Sequence, residues 1–323
     1  MIKMARVRTV GGDIDPEELG VTLMHEHLLV RNPWLMKPKD EEKRALAEAQ
    51  VSMNIRGCLW RDGNICADNL LLDSKSDAVL EVLAYKKAGG TSLVDVTSTG
   101  LGRDVRGVVE ISRNSGLNIV CGTGWYLDFV FPPHIRNTTA ESLSQQMIKE
   151  LTEGIGEGQT RAGVIGEIGC SYPWTNDEKK VLEAASMAQV RTGAPIDIHS
   201  AIHDVQNKRL LKPVGEYLDF LLTKDANPDR VYVSHMDFTS DDTRYHRSII
   251  DKYGVVLGYD GFGQESYWDS LYPGCGGVSD KTRVETLVDL MRSGYERYLV
   301  VSHDICAKMS LRKYGGHGYS HIL

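Results

Sequence analysis

A chain of 323 residues, 41% hydrophobic and 25% charged, is long enough for two ordinary domains or one large α/β barrel, and its composition excludes intrinsic disorder, collagen-like repeats and a small disulfide scaffold. Lys+Arg 37 against Asp+Glu 44 leaves a net charge of −7, spread without long blocks, which argues against nucleic acid or an anionic membrane as the main partner and leaves small molecules. No stretch approaches the roughly 20 apolar residues that cross a bilayer, and residues 1–10 lack a signal-peptide core, so a cytoplasmic protein is expected. Cys58, Cys66, Cys121, Cys170, Cys275 and Cys306 are scattered without a CxxC pair, which predicts reduced thiols.

Eight short runs of β-branched and apolar residues recur along the chain, each followed by a polar turn and then a helical pattern. They are Val21 to Val30, Ser92 to Thr97, Asn118 to Gly122, Gly163 to Ile168, Pro195 to His199, Val231 to His235, Val255 to Tyr259 and Tyr298 to His303. The intervening helices include Ser76 to Ala88, Asp177 to Arg191 behind Thr175-Asn176 and before Gly193, and Thr282 to Arg292. Eight βα units without a dividing linker predict a single α/β domain over 1–323, a (β/α)8 TIM barrel. Two insertions stand out. Residues 32–72 have room for extra helices, and Asp260 to Asp280, with Phe262, Tyr267, Trp268 and Tyr272, is a long loop after the seventh strand: a pocket wall or a packed surface loop.

Met24-His25-Glu26-His27 ends the first strand. Residues two apart share a strand face, so His25 and His27 project together into the barrel; alone, such a pair reads equally as a metal chelate or as two hydrogen-bonded core histidines. The other candidates also fall at carboxyl ends of strands: Glu167 on the fourth, His199 on the fifth, His235 on the sixth and Asp304 after the eighth. That rim is where barrel active sites form, and closure gathers residues from different strands into one cavity. Four imidazoles and two carboxylates without a thiolate suit Zn, Mn, Co or Fe, with zinc preferred. Six ligands exceed what one tetrahedral ion takes, which points to two divalent ions about 3.5–4 Å apart sharing a carboxylate.

Further out, Trp125, Tyr126, Tyr172, Trp174 and Phe262 are read either as pocket walls or as core packing. Lys281 and Arg283 are candidates for an anionic group on the substrate, against the commoner fate of solvated helix residues. His203 reads as a loop residue beyond the fifth strand, and His134, His246, His317 and His321 fall outside the ligand set.

The segments GVTLMHEHL, VDVTSTGLGRDV, GEIG, DIHS, VSHMD, VVSHDI and KYGGHGYSHIL, in this order across almost the whole chain, resemble the phosphotriesterase-related proteins of the amidohydrolase superfamily. The resemblance implies a binuclear metal hydrolase in which His25, His27 and Asp304 hold one ion, His199 and His235 the other, and Glu167 both. It further implies attack by a metal-bridging hydroxide, with Asp304 as the catalytic proton carrier, on a lactone or carboxylic ester. Phosphotriester hydrolysis, or a non-catalytic protein that keeps its metals and binds a small molecule, are the alternatives, and relatives of this group often form homodimers. Two departures stand out. Many relatives carry a carboxylated lysine where this chain has Glu167, a change that leaves the charge of the site unaltered. Only 19 residues follow Asp304, so the final helix of the barrel is expected to be missing and the outer face of the eighth strand uncovered.

Overall fold

The structure is a computed structural model that describes residues 6–38, 41–204, 209–210, 212–271, 273–274 and 276–323. Tyr272, Cys275 and the side chain of His203 lie outside the described residues. Eight parallel strands form one sheet: β1 (Thr22–Glu26), β2 (Ser92–Asp95), β3 (Asn118–Thr123), β4 (Val164–Cys170), β5 (Ile196–Ser200), β6 (Val231–Ser234), β7 (Val256–Tyr259) and β8 (Leu299–Val301). They lie side by side in sequence order, as successive right-handed βαβ crossovers require. All seven residues of β4 are buried, because a barrel strand is covered by side chains within and by helices outside. The fold is a (β/α)8 barrel, as the spacing predicts.

The helices are α1 (Lys75–Lys87), α2 (Val105–Ser115), α3 (Ala140–Thr152), α4 (Asn176–Thr192), α5 (Val214–Leu222), α6 (Thr243–Tyr253) and α7 (Asp280–Arg292). Their ends follow local chemistry. In α4 the Thr175 hydroxyl accepts from the Glu178 N–H while the Glu178 carboxylate accepts from the Thr175 N–H, and Gly193 at φ 72° ends the helix. The insertion 32–72 supplies two short helices, Glu41–Ala47 and Arg56–Asp62, packed over a small core of Val51, Leu59, Cys66 and Met309. No helix among the described residues is long and apolar enough to cross a membrane.

The first strand is shorter than the run of apolar residues suggests. It ends at Glu26 because the Leu28 N–H bonds to the side-chain carboxylate of Asp95 on β2 at 3.0 Å rather than to a backbone carbonyl of that strand; Val30–Arg31 then pairs with Leu71–Leu72 in a separate antiparallel ribbon. The seam between β1 and β8 is held by side chains together with one backbone bond. Ser302 Oγ donates to Glu26 Oε1 at 2.7 Å, the His25 N–H to Ser302 Oγ at 3.1 Å, and the Asp304 N–H to the His25 carbonyl at 3.3 Å. Beyond β8 the chain makes two 3-10 turns, Lys308–Ser310 and Arg312–Tyr314, and no α-helix up to Leu323. All three β8 residues are half-buried, and Val284, Val288 and Met291 of α7 are exposed. The tail nevertheless docks: Tyr319 is 1% exposed and donates its hydroxyl to the His27 carbonyl at 2.6 Å.

Close approach of β3 and β4 depends on Gly122, where an added Cβ would stand 2.0 Å from the Gly166 carbonyl oxygen. Gly122→Ala should cost about 1–3 kcal/mol of stability by overpacking, read as a lower urea midpoint.

Candidate metal centre

Strand ends bring the six candidate ligands to one point at the carboxyl rim. His25 is 0% exposed, Glu167 2% and His27 3%, and five of the six candidates line a cavity, so the centre forms the floor of that cavity rather than part of the outer surface. Glu167 spans it. Oε1 is 3.3 Å from His27 Nε2, while Oε2 is 2.9 Å from His199 Nδ1 and 3.8 Å from His25 Nε2. Asp304 Oδ1 lies 3.2 Å from His27 Nε2 and 3.8 Å from His25 Nε2, and His235 Nε2 is 2.8 Å from His199 Nδ1. Five of the six candidates fall into two groups whose potential ligand atoms lie within 4.8 Å of one another, His25, His27 and Asp304, and His25, Glu167 and His235; His199 belongs to neither and meets the centre through Glu167 and His235.

The nitrogens facing away from this point are all occupied. His25 Nδ1 sits 3.0 Å from Asp197 Oδ2 and 3.1 Å from Ser234 Oγ, His27 Nδ1 2.9 Å from Thr97 Oγ1, His235 Nδ1 2.8 Å from Asp260 Oδ1, and His199 Nε2 3.0 Å from the Tyr126 hydroxyl. An oxygen acceptor on the outer nitrogen fixes the proton there and turns the inner lone pair toward the centre, the tautomer a metal ligand needs. His25 Nε2 is buried with no hydrogen-bond partner in the protein. A buried polar nitrogen left unpaired costs about 1–3 kcal/mol whether it donates or accepts, and a divalent cation among these nitrogens and carboxylate oxygens removes that cost. The residues present therefore fit a pair of borderline divalent ions.

Electrostatics say the same. Burial works against charge on every member, yet hydrogen bonds with His199 and His27 hold the Glu167 carboxyl well below the ordinary carboxylate range. Burial lowers the His27 and His235 imidazoles too, but Asp304 and Glu167 raise the first to about 10, and Asp260 raises the second to about 9. His199 is lowered, by burial and by the neighbouring His235. Without a cation, the carboxylates recruit protons as counter-charge; metal ions must displace those protons, so their binding weakens as pH falls.

Above the centre opens a cavity of about 510 Å³. Tyr126 and Tyr172 line it, as does Trp268 from the loop after β7, which is therefore a pocket wall. Other wall candidates lie elsewhere. Trp125 is 1% exposed in the core, Trp174 packs on Tyr217 and Phe220, and Phe262 faces a smaller neighbouring cavity of about 80 Å³. Neither Lys281 nor Arg283 reaches the cavity. Both sit in the first turn of α7, whose periodicity points Lys281 outward to pair with Glu285 at 2.5 Å and turns Arg283 fully inward, where it binds Asp237 at 2.6 Å and Asp280 at 3.0 Å. His246 is a core histidine between Thr239 and Tyr259, and His321 pairs with Asp280 at 2.6 Å. Asp197 and Asp260 escaped sequence reasoning, although Asp197 shares a β5 face with His199 and Asp260 directly follows β7.

A barrel with this set of imidazoles and carboxylates at its catalytic rim defines a metal-dependent hydrolase. The sequence profile of the phosphotriesterase family matches residues 5–323, and the chain belongs to that family. It is 36% identical over 322 residues to the N-acetyltaurine hydrolase of Xenopus tropicalis, covering 98% of this chain and 89% of the relative. Among solved structures it is similar to a resiniferatoxin-binding protein from Rhodobacter sphaeroides, with a TM-score of 0.92 and 33% identity over 98% of this chain and 86% of that one. It is also similar to a lactonase from Listeria monocytogenes, with a TM-score of 0.75 and 25% identity over 98% and 88%.

Because Asp260 fixes the His235 ring, Asp260→Asn should weaken binding of one ion by about 10–100-fold, measured by chelator competition.

Proposed function

We propose that the protein hydrolyses a carboxylic acyl bond at a pair of divalent cations, zinc being preferred. The observation that carries this reading is the division of Glu167: Oε1 lies nearest His27 at 3.3 Å and Oε2 nearest His199 at 2.9 Å, one oxygen toward each side of the centre. His25, His27 and Asp304 would hold the inner ion, His199 and His235 the outer one, and Glu167 both. When bound, such ions lower the pKa of water from 15.7 toward about 7 and polarise the acyl oxygen.

The chain's own residues do the rest. Both Asp304 and Glu167 line the cavity, but the Asp304 side chain is 16% exposed against 3% for Glu167, so it is the more accessible of the two carboxylates. It takes the proton of the attacking water and delivers it to the leaving group. Tyr126 holds the His199 ring through its hydroxyl and walls the cavity. Aromatic and aliphatic side chains such as Trp34, Leu101 and Phe238 keep the site dry and suit an apolar acyl or alcohol portion.

The substrate proposed first is a lactone or carboxylic ester, a choice the similarity to a lactonase supports. Acyl amide hydrolysis is the second reading, favoured by the Xenopus relative matched over nearly the full chain. Phosphotriester hydrolysis, or binding without turnover, are the readings the test must exclude. The five described cysteines are free thiols, which supports a reducing, cytoplasmic setting.

Metal-loaded protein should turn over at least one substrate from a panel of γ- and δ-lactones, aryl acetates and N-acetyltaurine with kcat/KM about 100-fold or more above that for aryl phosphotriesters, a gap of about 2.7 kcal/mol. The reverse order, or binding without product, overturns the proposal. Asp304→Asn should keep both ions by elemental analysis while kcat falls about 100-fold or more, within the range general acid–base catalysis supplies; loss of metal together with activity would make Asp304 a ligand alone.

A further inference from the structure

Gln264 has no place in the ligand set, yet its side chain makes three contacts within one turn of the chain. Nε2 donates to the carbonyls of His303 at 2.8 Å and Asp304 at 2.7 Å, and lies 3.2 Å from Asp304 Oδ2. Those two carbonyls belong to the peptide groups on either side of the Asp304 Cα. One amide therefore sets both peptide planes and the outer oxygen of the carboxylate, leaving Oδ1 directed at His27 and His25.

Asp304 needs such a hold. Its φ is +50°, in the left-handed region that a residue with a Cβ adopts only when its surroundings enforce it. Among the described residues its other restraints are the 3.3 Å bond from its N–H to the His25 carbonyl, which fixes the backbone, and the approach of Oδ1 to His27 Nε2 at 3.2 Å; neither of these holds Oδ2.

Gln264 is itself rigidly mounted. Its N–H bonds to the Gly261 carbonyl at 2.9 Å, and its own carbonyl lies so near Gly277 that a Cβ there would come within 2.0 Å. The preceding Gly263 N–H bonds to Asp280 Oδ1 at 2.9 Å, and Asp280 is gripped by the buried Arg283, which also binds Asp237. The inward turn of Arg283 thus finds a use: it anchors the loop that presents Gln264.

We propose that Gln264 is the positioning residue for Asp304: it orients the carboxylate toward the inner ion and the cavity. The inference rests on the proposed metal centre, and its test reads the metal directly rather than turnover.

Cobalt(II) is loaded into the wild type, Gln264→Leu and Gln264→Glu. The visible absorption bands and the two rates of cobalt release to a chelator are then recorded. Removing the amide donors in Gln264→Leu should change the bands and speed release of one ion about 10–100-fold while the other keeps its wild-type rate, as loss of a ligand-orienting partner does. Gln264→Glu keeps the length of the side chain but sets a second carboxylate against Asp304; it should produce at least as large a change, and it decides the matter if the leucine variant does not fold. In an Asp304→Asn background, where the carboxylate is gone but the two carbonyl contacts remain, Gln264→Leu should add clearly less than it does in the wild type.

Wild-type bands and release rates in the folded variants overturn the role of Gln264, as does an undiminished effect in the Asp304→Asn background. Failure of the wild type to bind cobalt overturns the metal centre, and this inference with it.

Discussion

Glu167 sits almost fully buried with three imidazole nitrogens between 2.9 and 3.8 Å from its oxygens, and the rest of the rim is arranged around that buried negative charge. Removing a carboxylate from water costs several kcal/mol unless positive charge and hydrogen bonds compensate. Asp197, Asp260 and Asp304 add further carboxylates in the same space, so the centre holds more negative than fixed positive charge. Protonated imidazoles balance this in the metal-free protein, and divalent cations do so with a larger charge in a smaller volume. The electrostatics that perturb these imidazoles and carboxylates are thus the ones that favour metal binding.

Residues adjacent to these in the chain close the barrel. Glu26 accepts from Ser302 Oγ, from the N–H and Nδ1 of His303 and from the Ile305 N–H, while the His25 carbonyl receives the Asp304 N–H. Two site residues, His235 at φ 65° and Asp304 at φ 50°, adopt a conformation that costs of order 1–3 kcal/mol each. Barrel packing and the hydrogen-bonded loops above it compensate. Tyr319, from the tail beyond β8, completes the seam by bonding the His27 carbonyl. Integrity of the seam and geometry of the site are one property here.

Legibility from sequence followed the range of the interactions involved. The eight strands were readable because each is a short run of β-branched residues bounded by a turn, and α4 because its cap, acidic first turn and terminal glycine are neighbours in the chain. His25, His27, Glu167, His199, His235 and Asp304 could be singled out because each closes or follows such a strand, and a parallel barrel brings those ends together. The end of β1 lies several residues before the end of its apolar run, since Asp95, 67 positions away, captures the Leu28 N–H. Arg283 offered a surface-like signature, and its burial depends on Asp237, 46 residues earlier.

The sequence by itself determined the barrel and the identity of the candidate ligands, because periodicity and strand position are local properties of the chain. Tertiary structure alone decided which acceptor orients each imidazole, which aromatic rings wall the cavity and which amide grips Asp304. Those choices rest on contacts between segments that meet only when the barrel closes: Asp260 with His235, Tyr126 with His199, Gln264 with Asp304. Hydrogen bonds are short and directional, so their partners are set by the folded geometry and leave no periodic trace in the chain.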